Sequence, residues 1–134
     1  MAKEMSSKEP EGLKQAKALA KDLYRIPKNG NLNRDYVLRD QMRNSVISAF
    51  SNIEQWRRHE TSDECIKFLS FAKASAEKLR AQLTLSKAIG HICEGDYLDL
   101  EDKVIRIVSL IDGLVKKRKR DPSRKHLFFR DRRC

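Results

Sequence analysis

Apolar residues recur every three or four positions along most of this chain, and that period decides the fold class. Leu13, Ala16, Leu19, Ala20 and Leu23 share one side of a helix, as do Met42, Val46, Ala49, Ile53 and Trp56. At about 100° per residue, Cys65, Phe68, Leu69, Ala72, Ala76, Leu79 and Leu83 make a third stripe, with Phe71, Ser75, Gln82 and Ile89 in a strip beside it. Leu100, Val104, Ile107, Val108, Ile111, Leu114 and Val115 make a fourth, from which Ile105 and Leu110 point away. A sandwich or barrel needs many turns, and the 134 residues include only 5 Gly and 3 Pro. The expected fold is all-α.

The punctuation divides the chain into four helices, about residues 12–26, 35–58, 62–89 and 97–115. Pro27 stops the first, because proline lacks an amide donor and restrains the residue before it. The stretch PKNGNLNRD is the most turn-like and reads as the longest loop. Asp35 is an N-cap for the second helix. Thr61 and Glu64 form a capping box for the third, and Gly90 ends it. A turn through CEGD leads into the fourth. Helices of this length on short connections favour an antiparallel up-down-up-down four-helix bundle. It is expected over residues 11–117, after a flexible stretch 1–10 and before a basic, disordered tail 118–134.

Several functional classes lack support. No apolar run approaches the roughly 18 residues of a membrane span. The N-terminal MAKEMSSKEPEG is polar and carries acids, unlike a signal or transit peptide. Cys65, Cys93 and Cys134 are an odd number without a ladder of spacings, which points to reduced thiols and a cytoplasmic location. His91 and Cys93 are the only close His/Cys pair, short of the four clustered ligands of a zinc site; they read as a surface His beside a half-buried Cys. Glu64 and Glu77 stand 13 residues apart, about 20 Å along a helix, too far to act as an acid/base pair. Glu94, Asp96, Asp99, Glu101 and Asp102 cluster where a helix N-terminus favours negative charge, without the turn glycine of a calcium loop. Gly30, Gly90, Gly95 and Gly113 are isolated and form no phosphate cradle. The expectation is a non-enzyme without catalytic residues, metal or cofactor.

Charge is distributed unevenly. From Lys116 to Cys134 there are ten Lys/Arg and two Asp, a net of +8, so the rest of the chain carries only about +2 of the total +10. Cations neutralise phosphates and release counterions, and aromatics among them stack on unpaired bases. The candidate nucleic-acid residues are Lys116, Lys117, Arg118, Lys119, Arg120, Arg124, Lys125, Phe128, Phe129, Arg130, Arg132 and Arg133, with Arg57 and Arg58 extending the basic surface. RNA is favoured over DNA. The competing readings are a solvated tail that aids solubility, and a Leu127-Phe128-Phe129 segment that docks on the bundle or on a protein. Arg57 and Arg58 read equally as solvated helix-end charges.

The second helix carries one more feature. Gln41, Ser45, Ser48 and Asn52 follow at spacings of 4, 3 and 4 beside its apolar stripe, and Ser75 and Gln82 stand in the second strip of the third helix. Short hydroxylic side chains let helix backbones approach closely, and amides bond across an interface when every buried polar group finds a partner. The alternative is the wet margin of an amphipathic helix.

Gln41 and Arg43, then Ser48, then Ser51-Asn52-Ile53, followed by Glu64, Phe68-Leu69, Ala72, Ser75, Glu77 and Gln82-Leu83, make an ordered pattern over two helices. In this the chain resembles, from about Leu13 to Lys117, the bacterial four-helix bundle proteins first met as open reading frames in intervening sequences of 23S ribosomal RNA genes. The accessory variability proteins of diversity-generating retroelements belong to the same wider group. The chain departs from the pattern at Glu54-Gln55-Trp56, where Ala-Glu-Gly is usual, and at Ala74, commonly Gly. Asp112-Gly113-Leu114 stands near the place of the retroelement Gly-Gly-Trp ending. The resemblance implies a homopentameric ring in which Gln41, Ser45, Ser48, Asn52, Ser75 and Gln82 are inter-helix or inter-subunit contacts. It also implies an accessory or scaffold role with ribosomal RNA, or with the RNA and reverse transcriptase of a retroelement. The alternative function is a protein–protein interaction module whose basic tail serves only solubility or an acidic partner.

Overall fold

The computed structural model describes residues 9–26, 30–59 and 64–120, with Lys119 and Arg120 as backbone alone. The fold is all-α, with no strand among the described residues. Helix α1 spans Glu11–Tyr24, α2 Asn31–Arg34, α3 Tyr36–Arg58, α4 Cys65–Ala88 and α5 Glu94–Arg120.

Helix ends follow local chemistry. α1 closes with the Arg25 amide bonded back to the Lys21 and Asp22 carbonyls, two residues short of the expected end at Ile26. Proline at 27 disfavours the helical region for the residue before it, which moves the end inward. α2 corrects the loop expected over this stretch. Its four residues carry Leu32 into the core, and burying a leucine contributes about 2 kcal/mol towards ordering the turn. The expected cap of α3 is in place: Asp35 Oδ1 accepts the Leu38 amide at 3.1 Å.

α4 is described from Cys65, with the Glu64 carbonyl accepting from Lys67 and Phe68, and the expected start near residue 62 lies outside the described residues. Thr61, the other half of the expected capping box, lies outside the described residues. The expected glycine stop does end the helix. Gly90 has φ +84°, a region open to glycine, and the His91 and Gly90 amides return to the Ser86 and Lys87 carbonyls in a Schellman motif. A substituted Cβ there would meet no atom, so backbone conformation alone selects glycine.

α5 is longer than expected at both ends. Cys93 accepts the Asp96 amide on its sulfur (3.4 Å) and the Tyr97 amide on its carbonyl (3.0 Å), so the helix starts at Glu94 instead of Tyr97. Acids in this first turn suit the helix dipole. At the other end the helix runs past Val115 to Arg120, because Lys and Arg are strong helix formers and favour a helix C-terminus. Arg118, Lys119 and Arg120 were expected to begin a disordered tail; they continue α5 instead. Residues 121–134 lie outside the described residues.

Partners across the helix seams run in opposite order. On α3 and α4, Met42 meets Ser86, Ser45 meets Gln82 and Ser48 meets Ser75. On α4 and α5, Lys73 meets Asp112, Arg80 meets Glu101 and Lys87 meets Glu94. α1 lies on α3 through Gly12 beside Ile53 and Tyr24 beside Arg43, and is tied to α5 by Asp22 and Lys103. One core fills the space between the four long helices, with Leu13, Leu19, Met42, Val46, Ile53, Leu69, Leu79, Leu83, Val104 and Ile107 fully enclosed. These pairings put the start of α1, the last turns of α3 and α5 and the start of α4 at one end of the molecule.

Candidate functional site

The polar row of α3 faces α4. Ser45 (5% exposed) lies 2.9 Å from Gln82 Oε1 and 3.0 Å from its own helix's Gln41 carbonyl. A hydroxyl has one hydrogen, so these acceptors share it. Gln82, 8% exposed, is thus held inside the single chain's own fold. One turn on, the Ser48 and Ser75 hydroxyls meet at 2.7 Å. Asn52 turns back to the Ser48 carbonyl (2.9 Å) and makes no cross-helix bond among those described. Gln41 is exposed at the rim and contributes its carbonyl to the seam. Deeper, the enclosed Ser86 hydroxyl donates to the Met42 sulfur at 3.3 Å.

Outside this seam runs a shallow groove of about 380 Å³, lined by Gln41, Asn44, Ser45, Ser48, Ser75 and Lys78. Apolar side chains stand exposed on the same two helices: Val37 and Ile47 on α3, and Phe71 and Leu85 on α4, with Ile89 at its end.

The candidate cations gather at the opposite end from the α4–α5 turn. Lys116 and Lys117 are exposed on the last turns of α5 and Arg118 is half-buried, while α3 ends in Arg57 and Arg58. Arg58 is exposed, whereas Arg57 stands 3.8 Å from Glu54, which offsets part of its charge. Arg124, Lys125, Phe128, Phe129, Arg130, Arg132 and Arg133 lie outside the described residues.

His91 and Cys93 sit differently from the expected surface His and half-buried Cys. Cys93 is exposed, while His91 is the more enclosed and its Nε2 meets Asp35 Oδ2 at 3.0 Å. Asp35 therefore caps α3 with one oxygen and holds the α4–α5 turn with the other. The Leu38 amide, then His91, keep its carboxyl below the usual carboxylate range. Sequence reasoning reached the cap but not the partner 56 positions away, since helical spacing carries no information about which loops meet.

On the far side of α4, charged groups line the contact with α5. Tyr97 donates to Glu101 at 2.7 Å and Arg80 approaches the same oxygen at 3.2 Å, which together lower the Glu101 pKa, Tyr97 most. Lys87 and Glu94 meet at 2.7 Å and Lys73 and Asp112 at 2.9 Å, raising both lysine pKa values and lowering that of Glu94. Among the described residues no group of three His, Cys, Asp or Glu side chains could hold a metal ion. No described helix is long and apolar enough to cross a membrane.

Fold and surface together define an all-α helical protein with a neutral hydrogen-bonded seam on one flank of α4 and cations collected at one end. The sequence matches the family described as 23S rRNA-intervening sequence protein over residues 8–113, most of the chain, and the chain belongs to that family. No curated protein and no solved structure matches it.

Proposed function

We propose that this protein is a non-enzymatic, self-associating nucleic-acid-binding factor of the cytoplasm. In this reading it is an up-down-up-down four-helix bundle whose cationic end grips RNA phosphates. One observation carries the reading: the Lys116–Arg120 run continues α5 as helix, so Lys116 and Lys117 stand exposed on the folded body at the end where α3 finishes in Arg58. Fixed cations lose less freedom on meeting phosphates than cations on a free chain, and counterion release supplies affinity with little sequence preference. Family membership supports an RNA-linked role; the choice between ribosomal RNA and a retroelement RNA with its reverse transcriptase follows the sequence resemblance. Self-association is supported by Val37, Phe71, Leu85 and Ile89, which are at least half exposed on the outer face of α3 and α4. A ring of five, as the resemblance implies, would multiply the basic ends and raise avidity.

The test replaces Lys116, Lys117, Lys119 and Arg120 by Gln in the full chain, which keeps α5 at its length. Binding to an RNA hairpin is then titrated against salt. The slope of log affinity on log salt should fall by about 3 to 4; an unchanged slope rejects the basic end as the site. Native mass spectrometry should find an oligomer, and a stable monomer at micromolar concentration rejects self-association.

A second reading rests on the same apolar side chains. A protein partner seated over the α3–α4 groove would make the molecule an interaction module. Capture of a partner that survives nuclease and high salt favours it over RNA binding.

A further inference from the structure

The near-neutral charge of the body conceals a segregated surface. Lys14, Lys17, Lys21 and Arg25 follow at spacings of 3, 4 and 4 and are all exposed. They fall within about one quarter of the helix circumference, opposite the Leu13–Ala16–Leu19–Leu23 stripe that α1 buries. They line a groove of about 360 Å³, with Glu9, Ala18 and Asp22 on its border. The acids on its border are occupied: Glu9 pairs with Lys17, and Asp22 is turned to Lys103 of α5. Lys14, Lys21 and Arg25 have no ion pair among the described residues.

An independent observation stands at the edge of the stripe. Tyr24 is 51% exposed, and the Arg43 guanidinium of α3 lies over its ring at 4.3 Å. Arg43 Nε is buried and has no hydrogen-bond partner. A cation shielded from water on one side is screened less by solvent than a fully hydrated one. It therefore adds to the potential of the neighbouring groove.

From this juxtaposition we infer a second phosphate-binding track along the outer face of α1, for the backbone of a nucleic acid held at the α5 end. The inference rests on the nucleic-acid reading above and extends it from an end to a side of the molecule. Gly12 lies against Ile53, so the track begins at the end where α3 finishes in Arg57 and Arg58. It runs about 16 Å from Lys14 to Arg25. It stops there, because Arg25 also borders a second groove that contains Asp96 and Asp99, whose charge repels phosphate. The ligand is a phosphate backbone, contacted by point charges on flexible stems, so recognition is by charge and spacing and not by base identity.

The experiment uses the full chain, Lys14→Glu/Lys21→Glu, a duplex RNA hairpin and a poly-glutamate control. Both lysines are exposed and unpaired among the described residues, and Glu at 14 suits the helix dipole while Glu at 21 opposes it, so helicity and Tm should stay close to wild type. Lys14→Gln/Lys21→Gln repeats the test without reversed charge. RNA affinity should fall on the order of tenfold at moderate salt, and in the Gln variant the log–log salt slope should fall by about 2. Wild-type affinity and slope in these variants, while the α5-end variant loses slope, overturn the α1 track and leave the α5 site standing. Failure of the wild type to bind the hairpin overturns both. Poly-glutamate bound as tightly as RNA, and lost in the same variants, assigns the stripe to an acidic protein surface and overturns the phosphate track.

Discussion

The two flanks of α4 hold their neighbours by different chemistry. Towards α3, neutral side chains meet along a buried or half-buried seam: Ser48 with Ser75, Ser45 with Gln82, Ser86 with Met42. Towards α5, long charged side chains reach over a solvated margin, in Lys73–Asp112, Arg80–Glu101 and Lys87–Glu94. Hydroxyls at 2.7 Å draw two backbones together and must be satisfied once buried, whereas solvated ion pairs are screened and add little each. The first flank sets distance and register; the second sets sensitivity to pH and salt.

Breaking both flanks together should have the largest effect. Leu83 is fully enclosed on the core face between them, and Leu83→Ala should cost about 2–5 kcal/mol by denaturant unfolding. Next comes the neutral flank alone. Gln82→Ala should cost about 1–3 kcal/mol, with a loss that does not vary between low and high salt. Ser45→Ala/Gln82→Leu, which removes both partners and restores volume, should recover most of it. If the double variant is as unstable as Gln82→Ala, the seam acts through more than partner satisfaction. For the hydroxyl pair, Ser48→Ala and Ser75→Ala should each cost about 1 kcal/mol and together less than their sum, since the second change removes a group already orphaned.

The charged flank should show the smallest effect and the clearest dependence on conditions. Glu94 and Glu101 titrate below their ordinary range when folded, so their contribution is present above the unfolded glutamate pKa and is lost as pH falls through the folded value. Lys73 and Lys87 titrate above theirs, so their contribution is present below the unfolded lysine pKa and is lost as pH rises through the folded value. A Lys87→Met/Glu94→Gln variant should flatten both limbs of the stability–pH profile and lose its difference from wild type in molar salt. Gln82→Ala should lower the same profile evenly at every pH.

The four long helices were legible because each buries an uninterrupted stripe at helical spacing, and Asp35 and Gly90 mark their ends by side-chain and backbone chemistry that acts locally. The polar row was legible as a row. Its pairing with Gln82 and Ser75 needed the rotation of α3 relative to α4, which comes from packing. α2 was hidden because Leu32, amid Asn and Gly, looks like loop until a core is present to receive it. The extension of α5 was missed because a run of cations reads as repulsion, while its members are also good helix formers. Arg43 was noticed as part of a family pattern; its stacking on Tyr24 depends on a neighbour that spacing could not name.

The length of α5 has a mechanical consequence. Its 27 residues form a rod about 40 Å long that carries cations at the tip and is fastened along its side to α4 and, through Lys103, to α1. A load applied at that tip along the axis would act on all these fastenings at once, in shear, instead of peeling them one after another. Such a rod resists tension better than a short hook would, and it would pass strain from the tip to the Asp22 anchor at the far end of α1.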